Sequence, residues 1–250
     1  MTSRLGAIPM QRGTSATGRA TAARRLRDLL RAELLRGGYP DGRLPSELEL
    51  MAAYGASRGT VRDALSLLRD EGLVRRLTGT GTLVIADPAP SRLSEFHGFA
   101  ASQDASPLAI RPLEHARMAM SPMIARLLDR PIGADCLAIE YIALRGSEPL
   151  AMVINYVAWP HAEALVNEPQ RIDFFSYLRE NGLTVGRTDM IFDARPADAS
   201  VAALLQIPEG SPLLGFEQVI IDDAGIPYDF AVGYARGDRM RLFSQASTPR

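Results

Sequence analysis

A short stretch in the first third of the chain constrains the fold most, because helix start and stop signals follow each other closely there. Ser46 with Glu49 three residues later forms the pattern of a capping box. Gly55 stands where that helix should end, since glycine is the usual residue beyond a helix C-terminus. Ser57 predicts the cap of a second helix that ends at Gly72. The stretch therefore predicts two short helices joined by a tight turn.

The two faces of the second helix differ in chemistry. Apolar residues recur at helical spacing on one face, at Val61, Ala64, Leu65 and Leu68. Another face carries Arg58, Arg62, Ser66 and Arg69. A helix that buries one side and presents arginines near its N-terminus suits the major groove of duplex DNA, where arginine binds guanine or phosphate. A solvated basic helix is the alternative for an arginine-rich helix taken alone.

A glycine-rich hairpin follows and favours the DNA-binding interpretation. The strands are predicted at Val74–Leu77 and Thr82–Ile85. Gly79 and Gly81 allow a tight tip that can approach a sugar-phosphate backbone closely. Ahead of these elements, Thr21–Arg36 carries leucines at helical spacing and is predicted to be the first helix. The order helix-turn-helix-wing is that of a DNA-binding module.

Charge is distributed unevenly along the chain. Residues 1–85 hold fourteen arginines and eight acidic residues, a net of +6, whereas residues 86–250 hold fourteen and twenty-one, a net of −7. A basic N-terminal part suits phosphate binding, and an acidic remainder keeps the rest of the chain away from the duplex. The chain has no lysine, which excludes an internal aldimine with pyridoxal phosphate. No cofactor is predicted.

The N-terminal stretch resembles the DNA-binding domain of the GntR family of bacterial regulators. The resemblance rests on Leu44-Pro45-Ser46-Glu47, Ser57-Arg58, Thr60-Val61-Arg62, Glu71-Gly72-Leu73-Val74 and Gly79-Thr80-Gly81-Thr82. In the family, residues matching Arg58, Arg62, Thr60 and Gly79 touch DNA. The predicted DNA-binding residues are Ser46, Ser57, Arg58, Gly59, Thr60, Arg62, Thr78, Gly79 and Thr80. One departure is Leu48, which stands where the family usually has arginine, so operator preference is expected to differ.

The rest of the chain contains an internal repeat. Its two copies share the leucine, proline, glycine and glutamate positions of 127–149 and 204–227, and Tyr156 recurs as Tyr234. Each copy predicts a helix followed by a hairpin, with helices at Pro122–Leu128 and Asp198–Leu205 and turns at residues 146–148 and 223–225. Additional strands are predicted at Leu108–Ala119 and Thr184–Arg195. Together they indicate an antiparallel sheet covered by helices.

This repeat is similar to UTRA, the ligand-sensing domain of the HutC branch of GntR regulators. The resemblance covers about residues 95–245 and rests on Gly146-Ser147-Glu148-Pro149, Ser211-Pro212-Leu213-Leu214 and Gly225-Ile226-Pro227 leading to Arg236-Gly237-Asp238-Arg239. It implies an α+β protein, a winged helix-turn-helix followed by a chorismate-lyase-like domain. The predicted boundaries are a disordered arm at 1–20, the DNA-binding domain at 21–86, a linker at 87–104 and the sensing domain at 105–245.

The resemblance also implies the chemistry of the effector. Members that sense phosphorylated sugars clamp the phosphate with two arginines and a serine, and the matching positions here are Tyr141, Ala143 and Asp173. A phosphate is therefore not expected, and a neutral or cationic ligand that carries hydroxyl or amine groups is. The predicted ligand-binding residues are Tyr141, Arg145, Asn155, Asp173, Asp229 and Tyr234. The alternative is that Asp229 only satisfies backbone donors of its turn and that Tyr141 only packs.

Other functional classes find little support in the sequence. The three histidines have no metal-binding spacing, and no Ser-His-Asp or Cys-His arrangement is readable, so no metal and no catalytic residue are predicted. The single Cys136 excludes an internal disulfide framework. No apolar run reaches the length of a membrane span, and the N-terminus lacks a secretory signal, so a cytoplasmic location without membrane contact is expected.

The sequence thus predicts a ligand-controlled transcription regulator and not an enzyme. It is expected to act as a homodimeric repressor on a palindromic double-stranded DNA operator, because one recognition helix reads only a half-site. A small-molecule effector would release it by binding two conformational states differently. Two alternatives stay open: an enzyme that uses the chorismate-lyase-like domain, and a DNA-binding regulator that responds to no ligand.

Overall fold

The protein consists of two compact units, residues 1–88 and residues 89–250. A computed structural model describes residues 16–77, 81–85, 91–92 and 108–244. None of the described helices is long and apolar enough to cross a lipid bilayer.

The first unit is a three-helix module with a two-stranded hairpin. Its elements are α1 (Ala16–Leu34), α2 (Glu47–Tyr54), α3 (Arg58–Asp70), β1 (Val74–Leu77) and β2 (Gly81–Val84). Its core is formed by aliphatic side chains of the three helices and the start of the hairpin: Leu26, Leu30, Leu34, Leu50, Val61, Ala64, Leu68, Leu73 and Val74. The apolar face predicted for the second helix is the face that α3 buries, and β1 pairs antiparallel with β2. The predicted helix-turn-helix-wing order is confirmed.

The first helix begins earlier than the sequence pattern indicates. It starts at Ala16 and not at Thr21, so residues 16–20, which were assigned to the disordered arm, are helical. The physical reason is a tertiary contact: the Arg19 guanidinium binds both carboxylate oxygens of Asp63 on α3, at 2.7 and 2.9 Å. A residue in another helix thus holds a turn that has little helix propensity of its own. The remaining residues of the predicted arm lie outside the described part.

The second unit is built on a six-stranded antiparallel sheet. Its strands are β4 (Ala109–Ala119), β5 (Asp135–Arg145), β6 (Glu148–Ala158), β7 (Arg187–Pro196), β8 (Pro212–Ile221) and β9 (Pro227–Arg236), in the spatial order β4-β5-β6-β9-β8-β7. Its helices are α4 (Pro122–Leu127), α5 (Phe174–Glu180) and α6 (Ala199–Leu205). A short parallel pair, β3 (Ser91–Arg92) with β10 (Leu242–Phe243), joins the start of the unit to its end. Most of the predicted linker lies outside the described residues.

The internal repeat is visible in the topology. Each copy runs strand, helix, strand, strand, as β4-α4-β5-β6 and then β7-α6-β8-β9. The two copies meet where β6 pairs with β9, so that the strand order is symmetric about the centre of the sheet. The helices and hairpins predicted from the repeat are thus present, with boundaries that shift by no more than a few residues. The two equivalent tyrosines, Tyr156 and Tyr234, lie on the two central strands.

The sheet has two covered faces with different partners. The helices of the repeat, α4 and α6, pack on one face, which includes Met152, Phe230 and Tyr234. The other face, called here the α5 face, is covered by α5 and by the 3-10 helix His161–Ala164. Because side chains alternate along a strand, the register assigns Tyr141, Asn155 and Asp229 to the α5 face.

Candidate nucleic-acid interface and effector site

Caps fix the two helices that present the predicted DNA-binding residues. The Ser46 backbone N–H donates to Glu49 Oε2 at 2.7 Å, and the Glu49 N–H donates to Ser46 Oγ at 3.3 Å, which is the predicted capping box. Gly55 ends α2 in the left-handed region at φ 60°, which glycine adopts without strain. The Ser46 hydroxyl is thereby occupied by its own helix.

The hydroxyl groups at the start of α3 are also engaged within the protein. Ser57 Oγ accepts from the Thr60 backbone N–H at 3.2 Å and lies 2.9 Å from Thr60 Oγ1. Thr60 is buried, whereas Ser57 is exposed. Of the two hydroxyls predicted to fix phosphates, only Ser57 therefore faces solvent. Thr60 secures the turn that aims the arginines.

The two predicted recognition arginines are open to solvent. The Arg58 side chain is 77% exposed, and its Nε lies 3.5 Å from Glu47 Oε2. Arg62 is also exposed, and no ion pair ties it to another described residue. Gly59 lies between them, and a Cβ added there would come 3.1 Å from the guanidinium carbon of Arg19. The start of α3 thus offers two cations on a closely packed backbone, which is the arrangement a groove-reading helix needs.

Part of the predicted interface falls in the wing. Thr78, Gly79 and Thr80, at the tip, lie outside the described residues. The strands that carry the tip are described, and Arg76 on β1 lies with its Nη1 3.8 Å from Glu47 Oε1. The sequence interpretation missed Glu47, which contacts both Arg58 and Arg76. Alternation along β1 could have indicated the direction of Arg76, but nothing local could have indicated its partner.

Buried polar side chains cluster in the second unit. Among the described residues, those buried there are Asn155, Gln170, Thr188, Gln218 and Asp229. Four of them lie on four neighbouring strands, and the register assigns all four to the α5 face. Gln170 lies in the segment before α5, where its amide donates to the Ile172 carbonyl at 3.0 Å. Polar side chains are uncommon in such a core, so the cluster marks this face as a candidate binding site.

Asp229 is the most unusual member of the cluster. It is fully buried, and neither carboxylate oxygen has a hydrogen-bond partner within the described part of the chain. Burial raises the pKa of Asp229 well above its usual range, because a charged carboxylate loses its hydration there. Gln170 Oε1 is likewise buried without a partner among the described residues. Unsatisfied groups of this kind are costly unless a ligand completes them.

Tyr141 lies within electrostatic reach of both Asp229 and Asp173. Burial raises the pKa of the Tyr141 hydroxyl, the amides of Asn155 and Gln170 oppose this rise, and the Asp229 and Asp173 carboxyls add to it. Asp173 is the N-cap of α5, where Oδ1 accepts from the Ser176 N–H at 3.0 Å. The structure therefore brings together four of the six predicted ligand-binding residues: Tyr141, Asn155, Asp173 and Asp229.

The other two predicted ligand-binding residues lie elsewhere. Tyr234 points to the opposite face of the sheet, where it packs beside α6 and lies under the Arg195 guanidinium at 5.8 Å. Arg145 pairs with Glu148 at the hairpin end of β6, whereas Asp229 pairs with Val157 nine positions along the same strand. At the usual rise per residue, that separation is about 30 Å. Tyr234 thus lies on the face of the sheet opposite to Asp229, and Arg145 lies at the hairpin end of β5, far along the sheet from Asp229.

Three members of the polar cluster were missed from the sequence. Gln218 and Thr188 occupy inward positions of β8 and β7, and strict alternation along these strands could have indicated their direction. Gln170 lies in an irregular segment, and no periodic signal marks it. Within the described residues, no group of three or more histidine, cysteine or acidic side chains is arranged to hold a metal ion.

Comparison with known families agrees with both units. The model of the bacterial regulatory proteins of the gntR family matches residues 21–84, and the UTRA domain model matches residues 108–241. A winged helix-turn-helix module joined to an α+β sensing domain defines the class of transcription regulators that carry DNA binding and effector sensing in one chain. Within that class, this chain belongs to the GntR family, with a UTRA domain as its second unit. It is a transcription regulator of the DNA-binding class.

Several similar proteins are themselves named as transcription regulators. The transcriptional repressor NagR of Bacillus subtilis is 26% identical over 205 residues, which is 80% of this chain and 84% of that protein. The probable transcriptional regulator PhnF of Escherichia coli is 28% identical over 88% of this chain and 91% of that protein. An uncharacterised HTH-type regulator of Rhizobium meliloti, RB1450, is 26% identical over 88% of this chain and 92% of its own length.

Solved structures confirm the fold. PhnF from Mycobacterium smegmatis superposes with a TM-score of 0.60 at 20% identity, over 90% of this chain and all of that chain. YydK from Bacillus subtilis superposes with a TM-score of 0.56 at 19% identity, over 90% of this chain and 99% of that chain. At these identities the likeness concerns the arrangement of the backbone and not the ligand.

Proposed function

We propose that the protein is a transcriptional repressor that binds a palindromic operator as a homodimer and is released by a small molecule without phosphate. The DNA-binding half of the proposal is supported by Arg58 and Arg62, which stand exposed at the start of α3. Because each recognition helix reads one half-site, a palindromic operator calls for a dimer with two-fold symmetry.

The effector half of the proposal depends on one observation, the fully buried carboxyl of Asp229 with no partner among the described residues. A ligand that brought several N–H or O–H donors, as an ammonium group or a polyol does, would satisfy the Asp229 carboxyl and the Gln170 Oε1 acceptor. The predicted phosphate-clamp positions bear Tyr141 and Ala143, both buried and neither cationic. With the Asp229 and Asp173 carboxyls near Tyr141 and no arginine at either clamp position, the α5 face offers a phosphate dianion no cationic partner there and favours a neutral or cationic ligand.

The effector proposal is tested by thermal unfolding in the presence of matched compounds. We expect sugars and polyols with amine or hydroxyl groups to raise the unfolding midpoint, since a ligand of the native state stabilises it by mass action. The phosphorylated form of the same compound should give no rise. Asp229→Asn should lose the response, and Asp238→Asn, at an acidic residue paired with Arg236, serves as the control that keeps it.

Two outcomes would contradict the effector proposal. Micromolar binding of a sugar phosphate that is lost in Asp229→Ala would show that the α5 face takes anions after all. No stabilisation by any compound, together with retained operator binding, would favour a regulator that responds to no ligand. The DNA-binding half is separate, because a mobility-shift assay on DNA adjacent to the protein's own gene tests it without any effector.

A further inference from the structure

A groove of about 310 Å³ lies in the DNA-binding unit between α3 and the wing strands. One side is formed by α3, which contributes Gly59, Arg62, Ser66 and Arg69, and the other by Val74, Arg76 and Thr82 of the hairpin. Arg19 and Asp63 close one end with their mutual ion pair, and Glu47 of α2 also lines the groove. Three arginines from two different elements therefore surround one open space: Arg62, Arg69 and Arg76.

The charges of the groove are only partly balanced from within. Arg19 and Asp63 neutralise each other at 2.7 Å. Arg69 donates to the neutral Ser66 hydroxyl at 2.8 Å. Glu47 is then the one carboxylate of the groove near the remaining arginines, and it is divided between Arg76 at 3.8 Å and Arg58 at 3.5 Å. The groove therefore holds an excess of positive charge and can accept an anion.

Arg76 differs from its neighbour Arg75 in direction. The two are adjacent on β1, so their side chains point to opposite faces of the hairpin. Arg76 lines the groove, and Arg75 is not among its lining residues. The Arg76 side chain is 64% exposed, and its long ion pair with the less exposed Glu47 is of the weak surface type. A phosphate can therefore replace or share that contact at little cost.

We propose that Arg76, which lines the groove, is an additional ligand of the DNA backbone. It binds a phosphate of the strand that passes between α3 and the wing, with Arg62 on the other side of the groove. The inference deepens the DNA-binding function and adds a residue that neither the recognition helix nor the wing tip contains. Since phosphate contacts carry no sequence information, Arg76 contributes equally to operator and unrelated DNA.

The test measures how DNA affinity depends on salt. The full-length protein, Arg76→Gln and Arg75→Gln are titrated onto a mixed-sequence duplex and followed by fluorescence anisotropy over a series of salt concentrations. Affinity falls as salt rises, and each phosphate contact on B-DNA makes the slope of log affinity against log salt steeper by about 0.9. We expect Arg76→Gln to make that slope shallower by about 0.9 per protomer bound. The variant should also weaken binding to the operator and to the mixed-sequence duplex equally. Arg75→Gln should keep the wild-type slope.

The control variant makes the result specific. An unchanged slope in Arg76→Gln, or an equal loss in Arg75→Gln, would overturn the proposal, since the second result reports net charge and not the groove. Thermal unfolding of each variant confirms that the winged unit is folded. A wild-type protein without salt-dependent DNA binding would contradict the DNA-binding function itself and would be recognised before any variant is measured.

Discussion

At the scale of single residues, the pKa values of the Asp229 and Asp222 carboxyls are shifted in opposite directions by their surroundings. Asp229 is fully buried without a partner among the described residues, and its pKa is raised. Asp222 is also largely buried, which by itself raises its pKa. The N–H groups of Ile226 and Ala224 and the imidazole of His161 outweigh that effect, so that the pKa of Asp222 is lowered. Hydrogen bonding to the charged form decides the sign.

Asp229 should make the protein less stable as the pH rises. Its folded pKa lies above its unfolded value of about 3.9, so the stability it contributes is complete below that value and is lost as pH rises towards the folded pKa. Asp229→Asn removes this titration. We expect the unfolding midpoint of the variant, relative to wild type, to increase with pH from acid to neutral. A constant difference across that range would show that Asp229 has a normal pKa.

Arg62 should contribute to base recognition more than any neutral residue of α3. It is exposed near the start of the helix and has no ion pair within the described residues, so no ion pair is lost when it is truncated. We expect Arg62→Ala to cost about 1–3 kcal/mol of operator binding if it reads a base. The measurement is a mobility-shift titration, and Arg126→Ala, at an exposed arginine of α4, is the matched control. Unchanged affinity would remove Arg62 from the interface.

At the scale of elements, the hairpin between β8 and β9 is held by Asp222. Its Oδ1 accepts from the N–H groups of Ala224 and Ile226 at 2.9 and 2.8 Å, and its Oδ2 lies 3.0 Å from His161 Nε2. The turn is thereby joined to the 3-10 helix that covers the α5 face. The His161 ring also stacks on Tyr228, with 4.4 Å between ring centroids. These contacts support the strand end that carries Asp229.

The turn should weaken in acid, opposite to the effect of Asp229. The folded pKa of Asp222 is lowered, so its stabilising contribution is present above the unfolded pKa and is lost as pH falls through the folded pKa. Asp222→Ala should therefore reduce the unfolding midpoint at neutral pH and flatten its fall in acid. Asp223→Ala, at the exposed neighbour, is expected to leave both unchanged. An acid limb of wild-type steepness in Asp222→Ala would contradict this account.

Helices and hairpins were predictable where a short sequence pattern, such as a cap or an alternation, specified them. The capping box at Ser46, the left-handed Gly55 and the alternation of the hairpins correspond to features of the backbone that need no distant partner. The start of α1 was not predictable, because the Arg19–Asp63 pair joins residues 44 apart. The placement of Tyr234 failed for a related reason: similarity between repeat copies indicates a strand position, but the pairing register decides which face of the sheet it takes.

At the scale of the whole molecule, the order of the two units was easier to predict from the sequence than the membership of the polar cluster on the α5 face. The repeat predicted the two halves of the sheet, whose strand order is symmetric about the β6–β9 pair. The polar cluster was only partly predictable, because Gln170 reaches it from an irregular segment that no periodic pattern marks. Such a site forms where distant segments converge, which only the fold shows.

The proposed homodimer makes operator symmetry the last testable property. If each protomer inserts one α3 into one half-site, a duplex with both half-sites should bind cooperatively, and scrambling one half-site should cost about 1–3 kcal/mol for each base pair that is read. Sedimentation of the free and DNA-bound protein then gives the number of protomers. Equal affinity for intact and half-scrambled operators, with one protomer bound, would contradict the dimer. Loss of affinity on scrambling either half, with two protomers bound, is the result that two-fold symmetry requires.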